Sequence, residues 1–215
     1  MSEQMDRWRR DYEDEAPLLE EEMAAHPVDQ FQQWFEAAAE ADFIEPNAMT
    51  LATAAADGTP AARIVLLKEY DRRGFVFYTN YQSAKAGELK DNPRASLLFH
   101  WDKLGRTVRI SGTATKVPRE MSETYFQSRP RKSQIGAWAS HQSQVVASRA
   151  ALREQFETIA DYYEGHDLPT PEHWGGYRLW PEQMEFWQGQ RSRMHDRLLY
   201  SKQRDGTWVL QRLSP

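Results

Sequence analysis

The chain has 215 residues, no cysteine and a formal net charge of −5, so disulfides, thiolate catalysis and cysteine-ligated metal sites are excluded. The acidic balance argues against a nucleic-acid binder, because such proteins usually carry a basic excess. No apolar run approaches membrane-spanning length and the first residues lack the apolar stretch of a signal peptide, so we expect a cytoplasmic protein that binds no membrane.

The first half of the chain is predicted to contain an arm and a helix, followed mostly by strands. Residues 1–27 are charged and poorly patterned, which predicts a mobile N-terminal arm with a short helix around Met5–Tyr12. Helical spacing of apolar residues predicts a helix over 28–41 with Asp29 as its N-cap. The other elements of this half are strands at residues 49–55, 62–68, 75–79, 95–101 and 107–114, and a helix at 83–89 capped by Ser83.

The second half is predicted to be helical first and then to return to strands. Helical patterns cover residues 120–127, 133–140 and 148–163. Strand patterns cover residues 174–179, 183–187, 197–201 and 208–212, with Asp205-Gly206 as a hairpin turn. Because no linker divides the chain, the sequence predicts a single α+β domain over 28–215, mostly β and built on an antiparallel barrel.

The common enzyme motifs are missing from the sequence. None of the patterns G-x-G-x-x-G, G-x-x-x-x-G-K-[ST], H-E-x-x-H or G-x-S-x-G occurs. The six histidines are scattered without metal-ligand spacing, so we predict no metal site. What remains is chemistry supplied by an organic cofactor that the protein binds and orients.

Two clusters of cations each have two interpretations. On an extended strand, Arg63 and Lys68 lie on opposite faces, and cations that reach solvent at the strand ends are the favoured interpretation of that segment alone. In the second cluster, Tyr125 and Arg129 share a helix face, and Ser133 follows at the start of a new helix. A guanidinium fork with two hydroxyls suits a phosphate, and a solvated basic turn fits this second cluster about equally well.

The third cluster is the segment from Arg191 to Arg197. On an extended strand, Arg191, Arg193, His195 and Arg197 would share one face, and Asp196 would lie on the other. Like charges on one face repel, which favours an anionic or electron-poor ligand against it. Trp187 is a flat neighbour for such a ligand, although a core or interface tryptophan is an equally ordinary interpretation.

These clusters belong to a set of stretches whose order and spacing resemble the pyridoxine/pyridoxamine 5'-phosphate oxidase family, from about Trp8 to Pro215. The stretches are Arg9–Tyr12, Arg63–Lys68, Phe75–Asn80, Ser128–Arg131, Ser133–Trp138, Trp174–Gly176, Glu185–Gly189 and Arg193–Arg197. The resemblance implies an FMN-binding split barrel flanked by helices. It also implies a homodimer with FMN at the subunit interface, where both subunits contribute to each site.

The resemblance further implies which residues form the site. The implied FMN contacts are Arg63, Ile64, Val65, Leu66, Leu67, Lys68, Tyr78, Thr79, Lys85, Gln142, Ser143, Trp187 and Arg197. The implied substrate contacts are Lys68, Tyr125, Arg129 and Ser133 around the phosphate, Arg193, Met194 and His195 over the pyridine ring, and Arg9, Arg10, Asp11 and Tyr12 as a closing segment. Arg193 and His195 are the implied catalytic pair.

The activity implied by the resemblance is the FMN-dependent oxidation of pyridoxine or pyridoxamine 5'-phosphate to pyridoxal 5'-phosphate in vitamin B6 biosynthesis or salvage. O2 would be the electron acceptor, with release of H2O2, and of NH3 from the amine. Two alternatives remain: a split-barrel flavin oxidase of a different aromatic substrate, and a non-catalytic binder of FMN or pyridoxal phosphate.

Three positions depart from the usual family pattern. Ala84 stands where an arginine is common, Thr107 where a flavin-contacting glutamine is common, and Met194 where a leucine is common. The loss of a cation at position 84 predicts weaker FMN retention, because a charge-assisted contact contributes roughly 1.5–3 kcal/mol. The leucine-to-methionine change is expected to be close to neutral.

Overall fold

The computed structural model describes residue 12 and residues 16–215. Residues 1–11 and 13–15 of the predicted arm, which include the predicted helix around Met5–Tyr12 except Tyr12 itself, lie outside the described residues. The described helices are α1 (Pro27–Glu40), α2 (Ala84–Asp91), α3 (Arg119–Ser128), α4 (Arg131–Ala139) and α5 (Arg149–Tyr162). The described strands are β1 (Ala48–Ala54), β2 (Pro60–Leu66), β3 (Glu69–Asp71), β4 (Gly74–Asn80), β5 (Arg94–Trp101), β6 (Arg106–Lys116), β7 (Trp174–Gln188), β8 (Asp196–Lys202) and β9 (Trp208–Arg212).

The strands form a nine-stranded sheet in the order β2-β1-β5-β6-β7-β4-β3, with β8 paired to β7 and β9 to β8. The pairs β3–β4, β4–β7, β7–β8 and β8–β9 are antiparallel. The helices and strands predicted within the described residues are present, with ends that differ by a few residues, except that the two strands predicted at 174–179 and 183–187 are one strand. The predicted α+β class with a mostly antiparallel sheet is therefore confirmed.

The chain divides into two compact units. The terminal unit contains the residues up to Thr50 together with Ser96–Gly112 and Pro181–Pro215, and the central unit contains Leu51–Ala95 and Thr113–Trp180. The prediction that residues 28–215 form one domain stays a prediction. No helix in the described part of the chain is both long and apolar enough to cross a bilayer.

The first helix begins one turn earlier than its predicted cap. The N-cap of α1 is His26, whose Nδ1 accepts a hydrogen bond from the Val28 backbone N–H at 3.2 Å, so the prediction of Asp29 is wrong. Pro27 occupies the first helical position, where its fixed φ fits and its missing N–H costs no hydrogen bond. Asp29 instead lies in the first turn, where a negative charge is stabilised by the helix dipole.

Ser83 is the N-cap residue of α2 as predicted, but its side chain makes no cap hydrogen bond. Its Oγ donates to the Asn80 carbonyl at 2.7 Å instead.

Strand β7 was predicted as two strands and is one strand of 15 residues. Its ladder with β4 ends at Leu179, and its ladder with β8 begins at Gln183. Pro181 lies between these two ladders, where neither requires its missing N–H. The proline therefore interrupts the sequence pattern without ending the strand.

The short strand β3 is absent from the sequence prediction because it has three residues and two of them are acidic. Arg178 holds it, since this buried guanidinium donates to Asp71 Oδ1 at 2.7 Å and to Glu69 Oε1 at 3.2 Å. Strand β2 ends at Leu66, two residues before the predicted end, so Lys68 lies in the connection to β3. Its backbone N–H still bonds the Val76 carbonyl at 2.9 Å.

Two adjacent glycines at the start of β7 allow aromatic side chains to approach the backbone. A Cβ at Gly175 would overlap the Tyr81 hydroxyl, and a Cβ at Gly176 would lie 2.9 Å from Tyr78 Cε1. Side chains at either position would therefore push these tyrosines away. This requirement explains the Gly-Gly pair in the middle of a sheet, where glycine otherwise weakens a strand.

The core of the terminal unit forms around α1. Phe31 has no exposed surface, and its ring lies 5.0 Å from that of Phe99. Trp34, one turn later, packs edge-on against Phe186 at 5.2 Å. The helix is thus stabilised by aromatic burial on one face.

We expect Phe31→Ala to lower the free energy of unfolding by about 3–5 kcal/mol, because it removes a fully buried ring and leaves a cavity. Urea denaturation followed by tryptophan fluorescence measures the change. Ile44→Ala is the control, since that side chain is fully exposed and its loss should change stability by less than ~0.5 kcal/mol. Equal losses in the two variants would contradict this assignment of the core.

Candidate functional site

A cavity of about 940 Å³ opens in the central unit. It brings together most of the predicted residues that belong to this unit. Those lining it are Arg63, Ile64, Val65, Leu66, Lys68, Tyr78, Thr79, Lys85 and Gln142 from the predicted cofactor set, and Lys68, Tyr125, Arg129 and Ser133 from the predicted phosphate set. Residues from β2, β4, α2, α3 and α4 thus meet around one space.

Arg129 has the most unusual surroundings in this cavity. It follows the last residue of α3 in extended conformation, and its guanidinium lies over the Trp174 ring at 4.7 Å. Its Nη1 is buried and has no hydrogen-bond partner. A buried donor without a partner costs about 1–3 kcal/mol. The lining of the cavity therefore includes a buried charged donor for which the chain itself supplies no acceptor.

Aromatic rings form the wall beside Arg129. Tyr78 stacks on Tyr125 with ring centroids 4.1 Å apart and on Trp174 at 5.4 Å. Burial raises the pKa of Tyr78 to about 12, so its hydroxyl keeps its proton at neutral pH. Trp174 was not assigned to the site from the sequence, although the Trp174–Gly176 stretch was among those carrying the resemblance. The sequence pattern predicted only that a strand begins at this stretch, and it gave no sign that Trp174 lines a cavity.

Lys85 is a second buried cation in the cavity. Its Nζ donates to Gln142 Oε1 at 2.8 Å, to Thr79 Oγ1 at 3.2 Å and to Ser83 Oγ at 3.3 Å. Burial lowers the pKa of Lys85, and the nearby charge of Arg63 lowers it further. The carboxylate of Glu88 opposes these two effects, while the hydrogen-bond partners of the ammonium group are neutral oxygens, so a bound anion would further stabilise its charged form.

Arg63 forms an ion pair with the carboxylate of Glu88. Its Nη2 donates to Glu88 Oε2 at 2.8 Å and its Nη1 to Thr53 Oγ1, while the Thr53 hydroxyl donates to the same Glu88 oxygen. Burial raises the pKa of Glu88, but the hydrogen bonds from Thr53 and Arg63 outweigh it and the net pKa is lowered. Glu88 was not predicted from the sequence, because a glutamate on a helix gives no signal of its distant partner.

Taken together, the cavity suits a phosphorylated aromatic ligand. Arg63, Lys68, Lys85 and Arg129 supply positive charge, and Tyr125 and Ser133 add hydroxyl groups. Phosphate oxygens accept several charge-assisted hydrogen bonds at once, which fits such a donor set. The aromatic wall and the apolar strand residues can contact a flat ring. The arrangement fits the predicted FMN and phosphate contacts of this unit.

Two predicted cofactor residues of the central unit do not line the cavity. The Leu67 side chain is buried in the core, so a contact from this residue would have to use its backbone. Ser143, in the left-handed region at φ 70, uses its Oγ to accept a hydrogen bond from the Ala84 N–H at 3.2 Å. Ser143 therefore holds the first residue of α2, next to Lys85.

The segment Arg191–Arg197 is not one extended strand, so the face that its arginines and His195 would share on such a strand is absent. Arg191–Arg193 form a 3-10 turn, with Ser192 at φ 56 and Arg193 at φ 60, and β8 begins at Asp196. Two successive non-glycine residues in the left-handed region interrupt the alternation on which the prediction depended. Asp196 is buried, accepting from Gln190 Nε2 at 2.9 Å and from Arg212 Nη1 at 2.6 Å.

His195 has a defined tautomer in this arrangement. Its Nδ1 accepts a hydrogen bond from the Gln190 backbone N–H at 3.0 Å. A backbone N–H can only donate, so the neutral ring carries its proton on Nε2. The ring packs between Trp187, with centroids 4.8 Å apart, and Tyr12, with centroids 5.5 Å apart. His195 thus presents an Nε2–H donor from a fixed orientation.

Tyr12 is the one predicted closing residue that the structure describes, while Arg9, Arg10 and Asp11 lie outside the described residues. Its ring contacts Trp187 edge-on at 5.6 Å. It also lies against the backbone at Gly105 and Gly189, where a Cβ at Gly189 would overlap the ring. The close approach requires that position 189 carry no side chain.

Trp187 and Arg197 are opposite each other on β7 and β8 in the terminal unit. Arg197 Nε donates to Glu185 Oε1 at 2.8 Å, and its Nη1 donates to the Ser214 carbonyl at 3.0 Å. The buried Glu185 also bonds Arg109. Arg193 and Met194, by contrast, are exposed on the 3-10 turn. Among the residues that the structure describes, no cluster of three or more histidine and acidic side chains could hold a metal ion.

Two family models together match most of the chain. One described as pyridoxamine 5'-phosphate oxidase matches residues 35–163, and one described as the pyridoxine 5'-phosphate oxidase C-terminal dimerisation region matches residues 174–215. Curated relatives include pyridoxine/pyridoxamine 5'-phosphate oxidases of Bordetella petrii, 56% identical with 96% of this chain and 97% of that one covered, and of Trichormus variabilis, 52% identical with 96% of each chain covered. The match of the C-terminal region supports a homodimer.

Solved structures also resemble this chain in fold. PhzG from Burkholderia lata, in complex with tetrahydrophenazine-1-carboxylic acid, has a TM-score of 0.87 and 32% identity, with 93% of this chain and 98% of that chain covered. A pyridoxamine 5'-phosphate oxidase-related, FMN binding protein from Nostoc punctiforme has a TM-score of 0.70 at 16% identity, with 90% and 100% covered, and that likeness shows the fold alone. The predicted split-barrel fold is confirmed, and the chain belongs to the pyridoxamine 5'-phosphate oxidase family.

Proposed function

We propose that this chain is an FMN-dependent oxidase that converts pyridoxine 5'-phosphate or pyridoxamine 5'-phosphate to pyridoxal 5'-phosphate. O2 accepts the electrons, giving H2O2, and the amine substrate also gives NH3. The observation that carries the proposal is the buried Arg129 Nη1 without a partner, in a cavity that also contains Lys68, Tyr125 and Ser133. A chain of this family with such a cavity is best suited to a phosphorylated pyridine.

The phosphate subsite positions the substrate. Arg129 is already held over Trp174, so its guanidinium loses little conformational freedom when it binds an anion. Binding energy from the phosphate, which does not react, can then be used to orient the carbon that does. We assign Lys68, Tyr125, Arg129 and Ser133 to this role.

The cofactor subsite uses the remaining cations. We assign the FMN phosphate to Arg63 and Lys85, which are held by Glu88 and by Gln142. The strand residues from Ile64 to Leu66 line the same cavity. The other assigned contacts are Leu67, Tyr78, Thr79, Ser143, Trp187 and Arg197. FMN, when bound, supplies the electron acceptor for the substrate and the route to O2. The dimeric form leads us to propose that the site combines residues of both subunits.

Arg193 and His195 are proposed to act on the pyridine ring. With Nδ1 bonded to the Gln190 amide, His195 can donate a hydrogen bond from Nε2 to an electron-rich atom of the ring. Arg193 lies on the same turn and adds positive charge. Met194, Tyr12 and the segment Arg9–Asp11 are proposed to enclose the substrate, which would exclude water. The cytoplasmic location and the single domain over 28–215 stay predictions.

The main alternative is an oxidase of a non-phosphorylated aromatic ring, since PhzG is also a structural relative. The cationic phosphate subsite favours the B6 phosphates over such a ring. A carrier of FMN or pyridoxal phosphate without turnover is the other alternative, and Ala84 and Thr107 are its only support. The following experiments separate the three.

We expect the protein loaded with FMN to lose its oxidised flavin absorption when pyridoxamine 5'-phosphate is added without oxygen. Readmission of air should restore the spectrum and release H2O2. A tetrahydrophenazine carboxylic acid is the comparison substrate. Flavin that stays oxidised with both B6 phosphates would contradict the proposed reaction, and reduction by the phenazine alone would favour the first alternative.

We expect Arg129→Ala to raise the KM for pyridoxamine 5'-phosphate by roughly 10- to 100-fold, since one charge-assisted contact contributes about 1.5–3 kcal/mol. Oxidation of pyridoxamine without its phosphate should change little in the same variant. Lys132→Ala is the matched control, because this cation is exposed on the neighbouring helix α4 and does not line the cavity. A uniform loss with both substrates would place Arg129 outside the phosphate subsite.

We expect His195→Ala to slow flavin reduction by roughly 100-fold, in the range of a positioned proton donor, and Arg193→Ala also to slow it. Arg191→Ala should reduce its flavin at nearly the rate of the unmodified protein, because Arg191 is not assigned to the FMN or substrate contacts. Stopped-flow absorbance under anaerobic single-turnover conditions measures all three variants. If Arg191→Ala slows flavin reduction as much as the other two variants, the assignment of substrate contacts to Arg193 and His195 but not to Arg191 is incorrect.

A further inference from the structure

A small cavity of about 220 Å³ lies beside Trp187 in the terminal unit. Its lining includes Thr107, Arg109 and Glu185. Trp187 is an assigned contact of the flavin, as is Arg197 opposite it across β7 and β8. Any side chain that shares this cavity with Trp187 is therefore a candidate to face the same ligand.

Arg109 reaches this cavity from strand β6. Its neighbours Val108 and Ile110 are fully buried, so alternation places Thr107 and Arg109 together on the opposite face of the strand. About half of the Arg109 side chain, 48%, remains exposed. Arg109 is thus bonded to Glu185 while about half of its side chain stays accessible to a ligand.

Glu185 is the anchor of Arg109 and also of Arg197. Its side chain is 8% exposed, Arg109 Nη2 donates to its Oε2, and Arg197 Nε donates to its Oε1 at 2.8 Å. Burial raises the pKa of Glu185, but hydrogen bonds from Arg197 and Arg109 outweigh it and the net pKa is lowered, so it is ionised at neutral pH. Two guanidinium groups share one carboxylate, which leaves one positive charge in excess among these three residues.

Thr107 leaves room for this charge to act. The family resemblance implies a flavin-contacting glutamine at this position, and a threonine hydroxyl ends two bonds closer to the backbone than a glutamine amide. Arg109, two residues further along the same face, lines the same cavity. Arg109 can therefore contact the flavin where the Thr107 side chain is too short to reach it.

We propose that Arg109, held by Glu185, is an additional flavin-contacting cation that raises the reduction potential of bound FMN. This inference rests on the proposed use of FMN. A reduced flavin carries more negative charge than an oxidised one, so a fixed cation nearby stabilises the reduced form more. Glu185 acts as a positioning residue, since it touches the arginines and orients them.

The test is the midpoint potential of bound FMN, measured by equilibration with a reference dye during chemical reduction without substrate. Arg109→Gln removes the charge and should shift the ratio of reduced to oxidised flavin about tenfold toward the oxidised form at a given potential, equivalent to ~30 mV for a two-electron couple. Arg109→Lys should keep most of the original potential.

Arg73→Gln is the matched control, because it also removes one arginine that pairs with a carboxylate but lies on the exposed turn before β4. It should leave the potential unchanged. Titration of apoprotein with FMN, followed by quenching of flavin fluorescence, shows for each variant that the cofactor still binds.

An Arg109→Gln protein that binds FMN with the original potential would overturn the proposal, as would an Arg109→Lys protein whose potential falls as far as that of Arg109→Gln. Failure of the unmodified protein to bind FMN would overturn both this inference and the proposed function. Flavin that binds and shows the shift but is not reduced by B6 phosphates would leave the inference supported and contradict the proposed reaction alone.

Discussion

Positive charges that line one cavity are the constraint on which the central unit depends. Arg63, Lys85 and Arg129 are all partly or fully removed from water, and each is kept in place by a different device. Arg63 has a carboxylate behind it, Lys85 has three neutral oxygens, and Arg129 has an aromatic face. Such a cavity can bind an anion with little rearrangement. The free-energy cost of ordering and desolvating the cations is incurred when the chain folds, so it does not reduce the affinity for the anion.

Much of the fold could be predicted from the sequence, since apolar periodicity and turn residues locate strands and helices by local rules. The failures have local causes as well. Pro181 suggested a break, although it lies between two ladders that do not need its N–H. Strand β3 carries acidic residues that oppose a strand pattern, and a buried arginine more than 100 positions away, Arg178, stabilises it. Long-range pairing of this kind leaves no periodic signal in a single sequence.

The candidate site could be predicted less evenly. Residues carried over from matching stretches, such as Arg63 and Arg129, do line one cavity. The geometry of the Arg191–Arg197 segment could not be obtained from alternation, because two residues there adopt left-handed backbone conformations that arginine and serine seldom adopt. The partners Glu88 and Glu185 also escaped prediction. An acidic side chain is ordinary on any surface, and only the fold shows which cation it faces.

The contact between Tyr12 and Gly189 links two distant parts of the chain by steric exclusion. A ring at one position tolerates nothing larger than hydrogen at the other, while a smaller residue at position 12 would release that restriction. The two positions are therefore expected to change together over evolution. A relative that has lost the aromatic residue can accumulate side chains in place of the glycine, and that substitution would then prevent the ring from returning.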